Sequence, residues 1–176
     1  SHVLSLNANL RSFFAEILGR ETGLSKGMGG SMHMWDKNNG FHGSVPIVSG
    51  TVPIALGSAF AAKLDGNKDV AISFMGDSAI EEGTVHETLN LAALMQLPII
   101  FIVENNMFGS HMHISQRQPN YSTARFADAN KINKIVVDGN DVIQVVDAIS
   151  ILSNNARTKN EPGFLEAYTY RWYGHV

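Results

Sequence analysis

The 176-residue chain has no cysteine, which excludes disulfides, thiolate metal sites and a cysteine nucleophile together. Like charges never run longer than the pair Glu81–Glu82, and the formal net charge is only −3. Such a surface offers no electrostatic footprint for nucleic acid. The longest uninterrupted apolar stretch, Leu97 to Val103, is far too short to span a membrane. No signal peptide is visible at the start. Because the chain opens on Ser1 and not on Met, targeting is undecided and the cytoplasm is the default compartment, with an organellar matrix left open. Charged residues are also scarce, at 16% against 44% apolar. That balance belongs to a folded chain with part of its surface covered by something else. The length suits one domain, residues 1–176, and hardly two; the natural protein is expected to continue past both ends.

Glycine, by contrast, is concentrated. Seven of the sixteen glycines fall between residues 19 and 43, after a helical pattern in which Leu6, Leu10, Phe13, Phe14 and Ile17 share one face and Gly19 ends the run. A loop this long inside a compact domain is usually functional. Its segment Gly29-Gly30-Ser31-Met32-His33-Met34-Trp35 is too apolar for a flexible linker and is expected to pack on something.

Beyond residue 44 strand and helix patterns alternate. Residues 51–64 read as a helix with Ala55, Ala59 and Ala62 on one side, residues 84–96 as a second, and a strongly periodic third follows the start signal Asp138-Gly139-Asn140-Asp141. Apolar strands are expected at 70–75, 99–103, 135–137 and 164–168. The implied architecture is α/β: a mainly parallel sheet with helices on both faces and right-handed crossovers.

Ligands of such sheets bind at the carboxyl ends of the strands. Here the strands deliver Gly76-Asp77-Ser78-Ala79, then Glu104-Asn105-Asn106, then Tyr170-Arg171-Trp172-Tyr173-Gly174-His175. A carboxylate, carboxamides, a guanidinium and an imidazole thus share one edge. The Asp77 carboxylate and the Asn106 carboxamide oxygen are hard ligands suited to magnesium, which completes its octahedron with phosphate oxygens and water. A helix beginning near Ile80 would aim its amides at the same place and favour a diphosphate, with Gly76 freeing the turn. Glu81 and Glu82 read as first-turn acids of that helix.

These residues resemble the motif of thiamine-diphosphate enzymes, Gly-Asp-Gly, about twenty-six residues, then Asn-Asn. In this chain Gly76-Asp77-Ser78 is followed by the twenty-six residues 79–104 and then Asn105-Asn106. Three further segments look like the alpha subunits of 2-oxo acid dehydrogenases, of the pyruvate or acetoin type: Gly30-Ser31-Met32-His33-Met34, Val137-Asp138-Gly139-Asn140-Asp141, and Thr169-Tyr170-Arg171 running to Gly174-His175. The resemblance implies the thiamine-diphosphate-binding fold and the cofactor pair thiamine diphosphate and Mg2+. Asp77 and Asn106 would be side-chain magnesium ligands, with Phe108 giving its backbone carbonyl. Ser78 and Ala79 would offer backbone to the diphosphate, Arg171 would contact it, and Val48 would stand behind the bent cofactor. His175 would face the reacting carbon as the catalytic residue. The implied reaction is oxidative decarboxylation of a 2-oxo acid, pyruvate first, with acyl transfer to a lipoyl group on an acyltransferase. The implied assembly is an alpha2beta2 heterotetramer whose beta subunit brings the glutamate that activates the cofactor's pyrimidine ring.

The resemblance also places a diphosphate-clamping Tyr-Arg pair and a second histidine upstream of Ser1, so the chain alone is expected to be catalytically incompetent. Ser78 departs from the motif glycine. It is harmless if only backbone contacts matter there, and harmful if the backbone angles demand glycine. Val176 stands where regulated relatives carry a phosphorylatable serine. His111 and His113 form a pair that lacks a third zinc ligand in register, and Arg117 and Arg125 flank Pro119 in a polar loop, read either as a mobile lid or as a solvated segment. Two rival functions stand beside the dehydrogenase: a transketolase-like carboligase, and a non-catalytic subunit that only assembles.

Overall fold

Apolar runs alternating with helical patterns do fold as a parallel α/β layer, but only from residue 52 onward. The computed structural model describes residues 2–175, and the chain divides into two compact units, Ser1–Thr51 and Val52–Val176. The reading made at Val176 lies outside the described residues.

The first unit holds two short helices, α1 (His2–Ser5) and α2 (Leu10–Ile17). The helix starts later than Leu6 because Asn7 turns through a left-handed φ of 62° and Asn9 caps the first turn, its side chain accepting from the Ser12 amide at 3.1 Å. Its apolar stripe is not its buried face: Leu10, Phe14 and Ile17 are exposed, whereas Ala15 and Glu16 are buried. Val3, Ala8 and Met34 form a small core with Phe13, Leu24 and Phe41 against it.

The glycine-rich stretch packs, as its composition requires, and what it packs around is a carboxylate. Glu16 Oε2 accepts from the amides of Ser25 (2.6 Å) and Gly27 (2.9 Å), and Oε1 from that of Gly29 (2.6 Å). A side chain at Gly23 would put its Cβ 2.4 Å from Oε2, so close approach requires glycine there. Burial disfavours the charged form of Glu16, but the backbone amides of Gly27, Ser25, Gly29 and Gly30 together outweigh it and hold the carboxyl below its ordinary value.

The second unit carries α3 (Thr51–Leu64), whose first residue counts with the first unit, β1 (Ala71–Gly76), α4 (Gly83–Met95), β2 (Ile99–Asn105), a two-stranded hairpin β3 (Phe108–Gly109) and β4 (Met112–His113), α5 (Arg125–Ala129), β5 (Asn133–Asp138), α6 (Val142–Lys159) and β6 (Gly163–Tyr168). The four long strands lie in the order β1-β2-β6-β5, all parallel. Ile99, Phe101, Val103 and Phe164 face one side with Val52, Leu56 and Ala59 of α3, Val85, Leu89 and Ala92 of α4, and Ala127 of α5. Ile100, Ile102 and Leu165 face the other with Ala148 and Leu152 of α6. Both faces of the central strands are therefore covered, which explains their largely apolar reading. Among the described residues no helix is long and apolar enough to cross a membrane.

Candidate active site

β1 pairs in register with β2 to its own last residue, with Met75 beside Val103 and Gly76 beside Glu104. Parallel neighbours lie about 4.8 Å apart, so Asp77 and the pair Asn105–Asn106 leave the sheet side by side. β6 pairs with β2 through Asn105↔Tyr168, which brings Thr169–Arg171 to the same edge. The amide of Thr169 donates to the Asn105 carbonyl at 2.9 Å, and Arg171 Nη1 donates to the Ser110 carbonyl at 2.5 Å. Asp77, Ser78, Asn106, Phe108 and Arg171 are thus assembled by one unit at one edge.

Asp77 is 1% exposed. Its Oδ2 accepts from Arg117 Nη2 at 2.5 Å, while Arg117 Nη1 pairs with Glu81 Oε1. Gln118 Nε2 bridges the same two residues, donating to the Asp77 carbonyl (3.1 Å) and to Glu81 Oε1 (2.6 Å). The Arg117 side chain, 9% exposed, thus lies between two acids and not in solvent. Arg125 is likewise tied down, donating to Gln118 Oε1, the Asn120 carbonyl and the Ser122 carbonyl and lying 4.1 Å from the Phe126 ring centre.

The two asparagines divide their work. Asn105 is buried and structural: its Nδ2 donates to Glu166 Oε1 (2.8 Å) and its Oδ1 accepts from the Met107 amide (3.0 Å). Asn106 is partly exposed. Its Oδ1 accepts from the Phe108 amide at 3.0 Å, leaving one of the oxygen's two lone pairs for another partner.

Glu166 is the residue sequence reasoning missed. It is fully buried on β6, and its Oε1 accepts from Asn105 Nδ2, the Thr123 amide (2.7 Å) and Thr123 Oγ1 (2.9 Å). Oε2 accepts from Ser122 Oγ (2.6 Å) and the Ala124 amide (3.1 Å). One carboxylate thereby fixes Asn105, next to the candidate ligand, and the turn that carries Arg125. A lone glutamate inside the apolar run Phe164-Leu165-Glu166-Ala167 was the available signal, since a buried charge needs partners. Burial, and then the charge of Glu166, raise the phenol of neighbouring Tyr168 above its ordinary value.

The expectations for Gly76 and for the helix after Asp77 need correction. The segment after Asp77 is one 3₁₀ turn, Ala79–Glu81, and the α-helix starts only at Gly83. Glu81 is consequently an ion-pair partner and Glu82 precedes the helix. Gly76 has no positive φ, so it does not serve by freeing the turn; a Cβ there would meet nothing within 4 Å, and its lack of a side chain opens onto space. Ser78 has φ −87° and ψ −27°, ordinary right-handed angles that do not demand glycine. The crowding lies opposite: a Cβ on Gly109 would come within 2.7 Å of Ser78 Cβ. His113 Nδ1 contacts Ser115 Oγ at 2.8 Å, and among the described residues no cluster of three His, Cys, Asp or Glu could hold a metal. Val48 belongs to the first unit, where it is exposed, and His175 is exposed near the end of the second.

The donor set fits a magnesium diphosphate. A buried carboxylate already balanced by a cation, a half-used carboxamide oxygen just past the neighbouring strand and an open space above Gly76 are hard, oxygen-rich surroundings for such an ion.

The family model described as "Dehydrogenase E1 component" matches residues 1–176. Similar proteins include the alpha subunit of acetoin:2,6-dichlorophenolindophenol oxidoreductase of Bacillus subtilis, 40% identical over 174 residues, covering 99% of this chain and 52% of that protein. The pyruvate dehydrogenase E1 component subunit alpha of Rhizobium meliloti is 38% identical over 174 residues, covering 99% and 50%. The testis-specific mitochondrial pyruvate dehydrogenase E1 alpha of Homo sapiens is 40% identical over 167 residues, covering 95% and 42%. The chain spans about half the length of the curated relatives it matches.

Proposed function

The chain belongs to the dehydrogenase E1 component family, and from that membership we propose that it is the magnesium- and thiamine-diphosphate-binding part of the alpha subunit of a 2-oxo acid dehydrogenase. One arrangement carries the proposal: Asp77, a buried carboxylate balanced by a cation, leaves the sheet beside Asn106, which directly follows the next strand. Asp77 and Asn106, with the Phe108 carbonyl, would hold the magnesium ion. Backbone at Ser78 and Ala79, the space above Gly76 and the Arg171 guanidinium would receive the diphosphate. When bound, thiamine diphosphate supplies a nucleophilic carbon and an electron sink for decarboxylation. His175 would offer its imidazole to the oxygen of the 2-oxo group, and Glu166 would keep Asn105, and so the backbone leading to Asn106, in place.

A beta subunit would complete the site with the acid that activates the pyrimidine ring, in an alpha2beta2 assembly, and a lipoyl-bearing acyltransferase would take the acyl group. Pyruvate is the first substrate to try, on the Ser31-Met32-His33-Met34 segment. Acetoin is the second, because a 40% identical relative is named for it. Calorimetry of thiamine diphosphate on the subunit assembled with its beta partner, with and without Mg2+, tests the proposal. Magnesium-dependent binding that Asp77→Ala abolishes is expected. Absence of binding in the wild type would leave only an assembly subunit, and ketol transfer without 2-oxo acid oxidation would mark a transketolase-like enzyme.

A further inference from the structure

Four carboxylates are buried among the described residues: Glu16, Asp36, Asp77 and Glu166. Glu16 is capped by backbone amides, Asp36 by the Asn39 carboxamide and Glu166 by neutral amides and hydroxyls. Asp77 alone is capped by a cation, and it is the one at an open strand end. The difference is chemical. A cage of neutral donors cannot yield its carboxylate to a metal without leaving buried N–H groups unpaired, whereas a guanidinium can be exchanged for another cation with the carboxylate still neutralised.

Arg117 is built for that exchange, because Asp77 is not its only support. Nη1 is held by Glu81, 32% exposed at its side chain, and Nε donates to the Met112 carbonyl at 3.3 Å. Glu81 is itself held by Gln118. A divalent ion coordinates carboxylate oxygen at about 2.1 Å, a position that puts it in direct repulsion with a guanidinium on the same carboxylate. Resting on the Asp77–Asn106 reading above, we propose that Arg117 is the resident counter-cation of Asp77 in the metal-free protein, and that metal binding drives it off Asp77 while Glu81 retains it. Arg117 is then a positioning residue that sets metal affinity from below: it preserves the carboxylate's place when the ion is absent and competes when the ion arrives.

The test uses the alpha subunit assembled with its beta partner and saturated with thiamine diphosphate, and reads Mn2+ binding by electron paramagnetic resonance. Arg117→Gln should tighten Mn2+ about tenfold, the order expected when one charge-assisted hydrogen bond no longer has to break, and should lower the melting temperature of the metal-free protein. Glu81→Gln should weaken Mn2+ roughly threefold with Arg117 present and leave it unchanged in the Arg117→Gln background, a dependence that a merely structural arginine would not produce. Arg117→Lys serves if the glutamine variant fails to fold, and should fall between it and the wild type. Unchanged or weaker Mn2+ binding in both Arg117 variants, with Asp77→Ala still abolishing it, overturns the proposal while the site reading stands. No Mn2+ binding to the wild type overturns both.

Discussion

The glycine-rich loop of the first unit and the strand-end loops of the second both close around a buried carboxylate, by opposite means. Around Glu16 the donors are backbone amides of residues 25–29, so the cage is the loop's own conformation and leaves only by unfolding the loop. Around Glu166 and Asp77 the donors are largely side chains on separate segments: Asn105, Ser122, Thr123, Arg117. Such a cage holds distant pieces of chain together, and one whose donor is a cation can exchange that donor for another cation. Backbone cages shape a surface; side-chain cages link surfaces and, where the donor is charged, can be reset.

The largest test of this contrast is Glu166→Ala. Three side-chain donors and two amides would lose their acceptor in a dry interior, at a cost of roughly 3–5 kcal/mol, read from urea unfolding. Asp77→Asn should cost less in the metal-free protein, about 1–3 kcal/mol, because Arg117 keeps Glu81. If the two losses prove equal, the distinction between a permanent and an exchangeable cage fails.

Glu16→Gln comes next, at about 1–3 kcal/mol near neutrality, since one of the carboxylate oxygens becomes an amide facing donors. Here pH sharpens the comparison. The folded carboxyl is held below its ordinary value, so its contribution is complete above the ordinary glutamate range and drains away as pH falls toward the folded value. Urea midpoints of wild type and Glu16→Gln should therefore converge on acidification. A gap that persists or widens there would mean that the amides do not favour the charged form.

Much of the fold was legible because burial on both faces makes β2 and β6 mostly apolar, and the edge holding the candidate site followed from parallel connectivity. Asp77 and Asn106 were legible from spacing, which a fixed sheet register converts into proximity. What escaped had no periodic trace. The hairpin of residues 108–113 has two residues per strand, too few for alternation. Glu16 shares α2 with an apolar stripe that pointed to the wrong buried face, and Arg117 sits in a polar run whose sequence alone cannot separate an ion pair from a solvated loop. For Arg117 the missing information was a contact between segments far apart in sequence, with Asp77 40 and Glu81 36 residues away.

The smallest effects concern the motif serine. Because Ser78 has right-handed angles, Ser78→Gly only loosens the unfolded chain and should cost roughly 0.4–1 kcal/mol. Gly109→Ala should cost somewhat more, about 1–2 kcal/mol, since its Cβ would press on Ser78 Cβ at 2.7 Å and lie 3.2 Å from Arg117 Cζ. Combining the two removes the closest contact and should recover part of the second loss, so a thermal-melting cycle over the four proteins should show coupling of opposite sign to the single effects. Strict additivity would mean that the hairpin yields freely at Gly109. It would then be too soft to hold Arg117 against Asp77 by packing, and the ion pairs alone would have to do so.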